Sequence, residues 1–79
     1  MKARIEISLK NGVLDPQAKT IFNALDSLGF DCVRDVKMTK NIILDLNTDD
    51  KKLALEKSKE MSEMLLANTV IENYKIELE

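Results

Sequence analysis

The sequence predicts an α+β fold in which one antiparallel sheet carries both of its helices on a single face. Three observations predict it. Both ends of the chain alternate apolar and polar residues, as half-buried strands do. Two internal segments repeat apolar residues at helical spacing behind clear helix-start chemistry. Between them lie two short β-rich runs, giving the order β-α-β-β-α-β over one domain of 79 residues.

The first strand covers residues 2–10. Ala3, Ile5, Ile7 and Leu9 point one way, and Lys2, Arg4, Glu6, Ser8 and Lys10 the other. Asn11-Gly12 breaks it. Asp15 then offers a carboxylate to the first free N–H groups of a helix, and Pro16 at its first position forfeits no hydrogen bond. Ala18, Ile21, Phe22, Leu25 and Leu28 form its apolar stripe, and Gly29 supplies the positive φ that ends it. This helix is expected over residues 16–28.

Residues 33–39 and 42–47 read as two strands joined by a hairpin turn at Thr39-Lys40-Asn41. Val36 and Met38 share one face of the first, and Ile42, Leu44 and Leu46 one face of the second. Thr48-Asp49-Asp50 opens a second helix, where acidic side chains suit the positive end of the helix dipole. Leu53, Ala54, Met61, Met64 and Leu65 supply its apolar side over residues 50–66, and Asn68 is expected as a left-handed stop. A last strand over residues 70–78 turns Tyr74, Ile76 and Leu78 inward. Right-handed crossovers make this βαββαβ two-layer sandwich ferredoxin-like. The other sheet face, with Arg4, Glu6, Ser8, Lys37 and Lys75, is open to water or to a second copy.

A domain of this size buries only roughly 60% of its unfolded surface, so it gains from a staple or a partner. One Cys excludes an intrachain disulfide, and the absence of His and of paired Cys gives no zinc pattern. Oligomerisation remains as the source of extra burial. The net charge of -2 offers no electrostatic reason to bind nucleic acid. No apolar run approaches the ~20 residues of a membrane span. The first residues read as a strand rather than a signal peptide, so a cytoplasmic location is expected.

Little in the chain can do chemistry. Without His, a Ser or Cys nucleophile has no evident base, and Cys32 is expected to have a structural or incidental role, as a free Cys often behaves as a small hydrophobe. Gly12 and Gly29 are the only glycines, too few for a phosphate-binding loop. The βαββαβ order invites comparison with RNA-binding modules, yet the first and third strands carry no aromatic residue. Met38, Met61 and Met64 are expected to fill the core under the second helix, and the charges from Lys51 to Glu60 to form its solvated face. No catalytic, cofactor-binding or metal-ligating residue is assigned. An assembly or binding module is left.

Three strings carry a more specific signal. Lys10-Asn11-Gly12-Val13-Leu14-Asp15-Pro16-Gln17, with Ala24-Leu25 and Leu28-Gly29-Phe30 behind it, resembles the start of PurS proteins. Val33-Arg34-Asp35-Val36, then Lys40 with Ile42-Ile43-Leu44, continue the likeness. Leu65-Leu66-Ala67-Asn68-Thr69-Val70-Ile71-Glu72-Asn73-Tyr74 is similar to the family's closing segment. The resemblance spans nearly the whole chain. Ala18, Thr39 and Thr69 depart from it, standing where Gly, Gly and Pro are common.

The resemblance implies a non-catalytic subunit of phosphoribosylformylglycinamidine synthase in purine biosynthesis. Such a subunit bridges the ATP-dependent synthetase PurL and the glutaminase PurQ and supports ammonia transfer between them. ATP and Mg are then expected on the synthetase, with no cofactor in this chain. The resemblance also implies a PurS-like homodimer or higher oligomer that exchanges a C-terminal segment. Partner contacts are expected at Val13, Leu14, Asp15 and Pro16 in the first loop, and at Asn68 and Tyr74. Asp15 and Pro16 also serve as a helix cap, Asn68 as a helix stop and Tyr74 as packing. An ACT-type small-molecule-sensing domain shares the βαββαβ order and is the alternative reading.

Overall fold

The computed structural model describes all 79 residues. The first strand, β1 (Lys2–Leu9), lies at the centre of a three-stranded antiparallel sheet in the order β2-β1-β3. Its neighbours are β2 (Thr39–Asp45) and β3 (Glu72–Leu78). Register follows the alternation in the sequence. Ala3 sits between Leu44 and Leu78, Ile5 between Ile42 and Ile76, and Ile7 between Lys40 and Tyr74. Ala3, Ile5 and Ile7 are buried and, with Ala67, form the core. Removing a side chain such as Ile5 from water is worth roughly 1.5–3 kcal/mol.

The opposite face is polar and self-complementary. Arg4 lies across from Glu77 and makes a salt bridge with it. Glu6 lies across from Lys75, and Lys2 from Asp45. Unlike charges directly opposite one another support an antiparallel pair.

Helix α1 (Pro16–Ser27) starts as its capping residues require. Asp15 accepts hydrogen bonds from the backbone N–H of Gln17 at 3.0 Å and of Ala18 at 3.2 Å. Gly29 follows the helix at φ 94°, a conformation open to glycine without strain. Helix α2 (Lys51–Met61) is capped the same way by Asp50, which receives Lys52 and Leu53 N–H. It runs on into a π-helical turn, Ser62–Leu66.

Four expectations are corrected. Residues 33–38 form no strand, and Thr39-Lys40-Asn41 is not a turn: those three residues already belong to β2, so the chain runs straight through instead of folding back. Without glycine at Thr39, the positive φ that a tight hairpin turn favours is unsupported, and no non-glycine residue has positive φ. Only α2 packs on the sheet, against β1 and β3. Helix α1 stands away from it, leaving Ile21, Leu28 and Phe30 exposed.

The third correction concerns the face that α2 buries. It is the small-residue row Ala54, Ser58 and Ser62, which lets the helix axis approach the sheet closely. The π turn rotates Met64 and Leu65 outward to 84% and 82% exposure, and Met38 is also exposed, so of the three methionines expected in the core only Met61 is half-buried. The fourth is Asn68, which does not enter the left-handed region. The helical stretch ends where Ala67 becomes extended, and Asn68 instead accepts the Val70 N–H at 3.2 Å in a side-chain turn. Cys32 is exposed.

The resulting body is elongated, 49 × 24 × 14 Å. Its radius of gyration is 16.1 Å, against about 12 Å for a compact chain of this length. Only 8 of 79 residues are buried, a small core for a chain of this length.

Candidate partner-binding surface

One end of the sheet gathers most of the surface that sequence assigned to partners. The loop after β1 turns at Gly12 and carries Val13, Leu14, Asp15 and Pro16. The loop before β3 carries Asn68. Backbone hydrogen bonds tie the two loops together. Lys10 N–H donates to the Ile71 carbonyl at 2.8 Å, while Ile71 and Glu72 N–H both donate to the Asn68 carbonyl, at 3.0 and 2.7 Å. The Asn68 N–H in turn donates to the Glu72 carboxylate at 2.7 Å. Glu72 also faces Lys40 Nζ at 3.5 Å, which links β3 to β2 across the end of β1.

Two adjoining open hollows lie here. The larger, about 440 Å³, runs between the Lys10–Asp15 loop, the first turns of α1 and the extended residues 34–38. Phe22 and Met38 give it an apolar wall, and Lys10, Lys19, Arg34 and Lys37 a charged rim shared with Asp15 and Asp35. The smaller, about 340 Å³, is lined by Val13, Leu14, Asp15 and Pro16 together with Ile71 and Glu72. Leu14 is 71% exposed at their shared edge. An exposed leucine between two partly apolar hollows suits burial against another protein.

Tyr74 is separate from this group. It sits on the inner sheet face opposite Ile7, and its hydroxyl donates to Glu63 Oε1 of the π turn at 2.8 Å. That bond stabilises the neutral phenol, and with partial desolvation it raises the Tyr74 pKa. Tyr74 thus anchors the π turn that presents Met64 and Leu65. Those two are exposed apolar side chains, as is Val70 at 81%. Sequence reasoning placed Met64 and Leu65 in the core because a regular helix would turn them inward; the shift in phase at the π turn has no simple sequence signature.

Catalytic furniture is sparse. No three His, Cys, Asp or Glu side chains converge to hold a metal ion. The outer face contributes one perturbed carboxyl: the Arg4 guanidinium holds the Glu77 pKa below its ordinary value, first through their hydrogen bond and then through charge. No helix is long and apolar enough to cross a membrane.

Comparison with known proteins agrees across nearly the full chain. Residues 2–79 match the family model PurS, described as phosphoribosylformylglycinamidine (FGAM) synthase. The synthase subunit PurS of Bacillus subtilis is 44% identical over 78 residues, covering 99% of this chain and 92% of the relative. The PurS subunit of Methanocaldococcus jannaschii is 41% identical over 78 residues, with 99% and 94% covered.

Solved structures give the same result. The crystal structure of the M. jannaschii PurS superposes with a TM-score of 0.89 at 41% identity, covering 99% of this chain and 94% of that one. A chain in the structure of PurLQS from Thermotoga maritima superposes at 0.86 with 30% identity, covering 96% and 93%. The ACT-type alternative gains no support from these matches. The chain belongs to the PurS family.

Proposed function

We propose that this chain is the small, non-catalytic subunit of phosphoribosylformylglycinamidine synthase, acting as a homodimeric scaffold between the synthetase PurL and the glutaminase PurQ. The observation that carries this is the end-to-end match to PurS, including a chain of PurLQS, whose name unites the three subunits. The M. jannaschii relative is described as one of the subunits of formylglycinamide ribonucleotide amidotransferase in the purine biosynthetic pathway.

The complex uses glutamine and ATP to turn formylglycinamide ribonucleotide into formylglycinamidine ribonucleotide. The glutaminase releases ammonia, and the synthetase activates the substrate's amide oxygen with ATP. Both steps need groups that this chain lacks, a nucleophile with its base and a phosphate cradle. ATP and Mg are therefore assigned to the synthetase, and the complex to the cytoplasm. The contribution of this chain, one domain over residues 1–79, is to hold the partners so that ammonia passes between them. Val13, Leu14, Asp15, Pro16 and Asn68 form the docking end, with Tyr74 supporting the π turn that bears Met64 and Leu65.

Glutamine-dependent turnover by cognate PurL and PurQ, measured with and without this chain, tests the proposal. Turnover that requires the chain is expected. Equal turnover in its absence contradicts the scaffold role.

A further inference from the structure

The turn that follows β1 holds a residue pair with chemistry of its own. The chain has six asparagines, Asn11, Asn23, Asn41, Asn47, Asn68 and Asn73, and only Asn11 is followed by glycine. Ala24, Ile42, Thr48, Thr69 and Tyr74 follow the others, each with a Cβ that crowds its own peptide nitrogen. Asn23, Asn41 and Asn73 are also held within α1, β2 and β3. Asn11 and Gly12 lie exposed in a turn outside every element.

The backbone here is held lightly. One bond closes the turn, from the Val13 N–H to the Lys10 carbonyl at 3.2 Å, the long end of the normal range. The Gly12 N–H, beside the Asn11 side chain, donates to nothing in the chain. Gly12 has φ 84°, and no atom stands within 4 Å of where a Cβ would lie. The Asn11–Gly12 peptide can therefore swing without displacing a neighbour, and glycine places few limits on the rotation. The adjoining hollow sets Lys10, Lys19, Arg34 and Lys37 against Asp15 and Asp35. An excess of cations favours the anion formed when an amide loses its proton.

We propose that Asn11 is a deamidation site of the folded chain. Hydroxide removes the Gly12 N–H proton, and that nitrogen attacks Asn11 Cγ. The N–Cγ bond forms, the Cγ–Nδ2 bond breaks, and ammonia leaves a cyclic imide behind. Water then opens the ring. Attack at the Cγ carbonyl restores the main chain as aspartate. Attack at the main-chain carbonyl leaves isoaspartate, with the chain rerouted through the side-chain carbon. The sum is amide plus water to carboxylate plus ammonium, and nothing is oxidised or reduced. Either product adds a negative charge to the loop that carries Val13 and Leu14. Isoaspartate also lengthens the link from β1 to α1 by one main-chain atom. The docking end thus changes with the age of the chain, whichever protein it meets.

The test holds the full, folded chain in mildly alkaline buffer beside a urea-unfolded sample. Isoelectric focusing follows the acidic form, and peptide mapping with electron-transfer fragmentation assigns its position. Methyl transfer by an isoaspartyl methyltransferase measures the isoaspartate. Conversion at Asn11 in the folded chain is expected to run at least about tenfold ahead of every other asparagine. Asn11→Gln, whose longer side chain needs a larger ring, is expected to abolish the early acidic form and the methyl acceptor. The position is exposed and carries no bond of the fold, so this variant keeps the structure. An amide retained at position 11 in the folded chain, while the unfolded chain converts there, overturns the proposal. So does an early acidic form that persists in Asn11→Gln.

Discussion

The Tyr74 hydroxyl reaches from the end of β3 to Glu63 Oε1 at 2.8 Å and fastens the π turn to the sheet. The carboxylate acceptor favours the protonated phenol, so Tyr74 titrates above its ordinary range. Because the folded pKa is raised, this stabilisation is present below the free-phenol value and is lost as pH rises through the folded one. Absorbance titration at alkaline pH is expected to show the raised value in the wild type. Glu63→Gln is expected to return it towards that of free tyrosine.

The outer sheet face gives the opposite sign. Glu77 has a lowered pKa through its hydrogen bond and charge contact with Arg4. Its stabilisation is present above the ordinary carboxylate range and is lost as pH falls through the lowered value. Carboxyl NMR titration is expected to place Glu77 below the exposed glutamates, and Arg4→Gln to bring it back among them. The pair is solvent-exposed, so added salt shrinks the difference.

Ser58 is fully buried on the inner face of α2 and its hydroxyl has no hydrogen-bond partner, whereas Ser62 donates to the Ser58 carbonyl at 2.8 Å. Removing a desolvated, unpaired hydroxyl without changing shape is neutral or favourable. Ser58→Ala is expected to stabilise the chain by about 0.5–1 kcal/mol in urea unfolding. Ser58→Leu is expected to cost about 1–3 kcal/mol, because the row of Ala54, Ser58 and Ser62 leaves no room against β1.

Asp15 separates capping from docking. Asp15→Ala is expected to lose about 1 kcal/mol of helix stability and fray the start of α1. Asp15→Asn keeps a capping oxygen and is expected to preserve the helix. Since α1 barely touches the sheet, amide exchange in the first turn of α1 reports this loss better than global unfolding does. If Asp15 also meets PurL or PurQ through its charge, Asp15→Asn weakens complex formation while the helix stays intact.

What the sequence made legible follows from local chemistry. The alternation of Ala3, Ile5 and Ile7 set the central strand, and Asp15-Pro16 and Asp50 set both helix starts. Gly29 marked a true left-handed residue, at φ 94°. The errors lie where local preference met a decision made at longer range. Val33–Met38 has strand chemistry yet forms no strand, because no turn in the chain brings a partner to it. Met64 and Leu65 continue a helical stripe, and the π turn moves that stripe to the surface. In the candidate site, Val13–Pro16 and Asn68 were found as separate strings, and the Lys10–Ile71 backbone bond that unites them has no signature in either.

Light scattering on an equimolar mixture of this chain with cognate PurL and PurQ, separated by size, tests the central claim most directly: that the chain's incomplete hydrophobic surface is finished by other polypeptides. One peak containing all three proteins, with this chain in at least two copies, is predicted. A peak of free chain at monomer mass beside unaltered PurL and PurQ would contradict it.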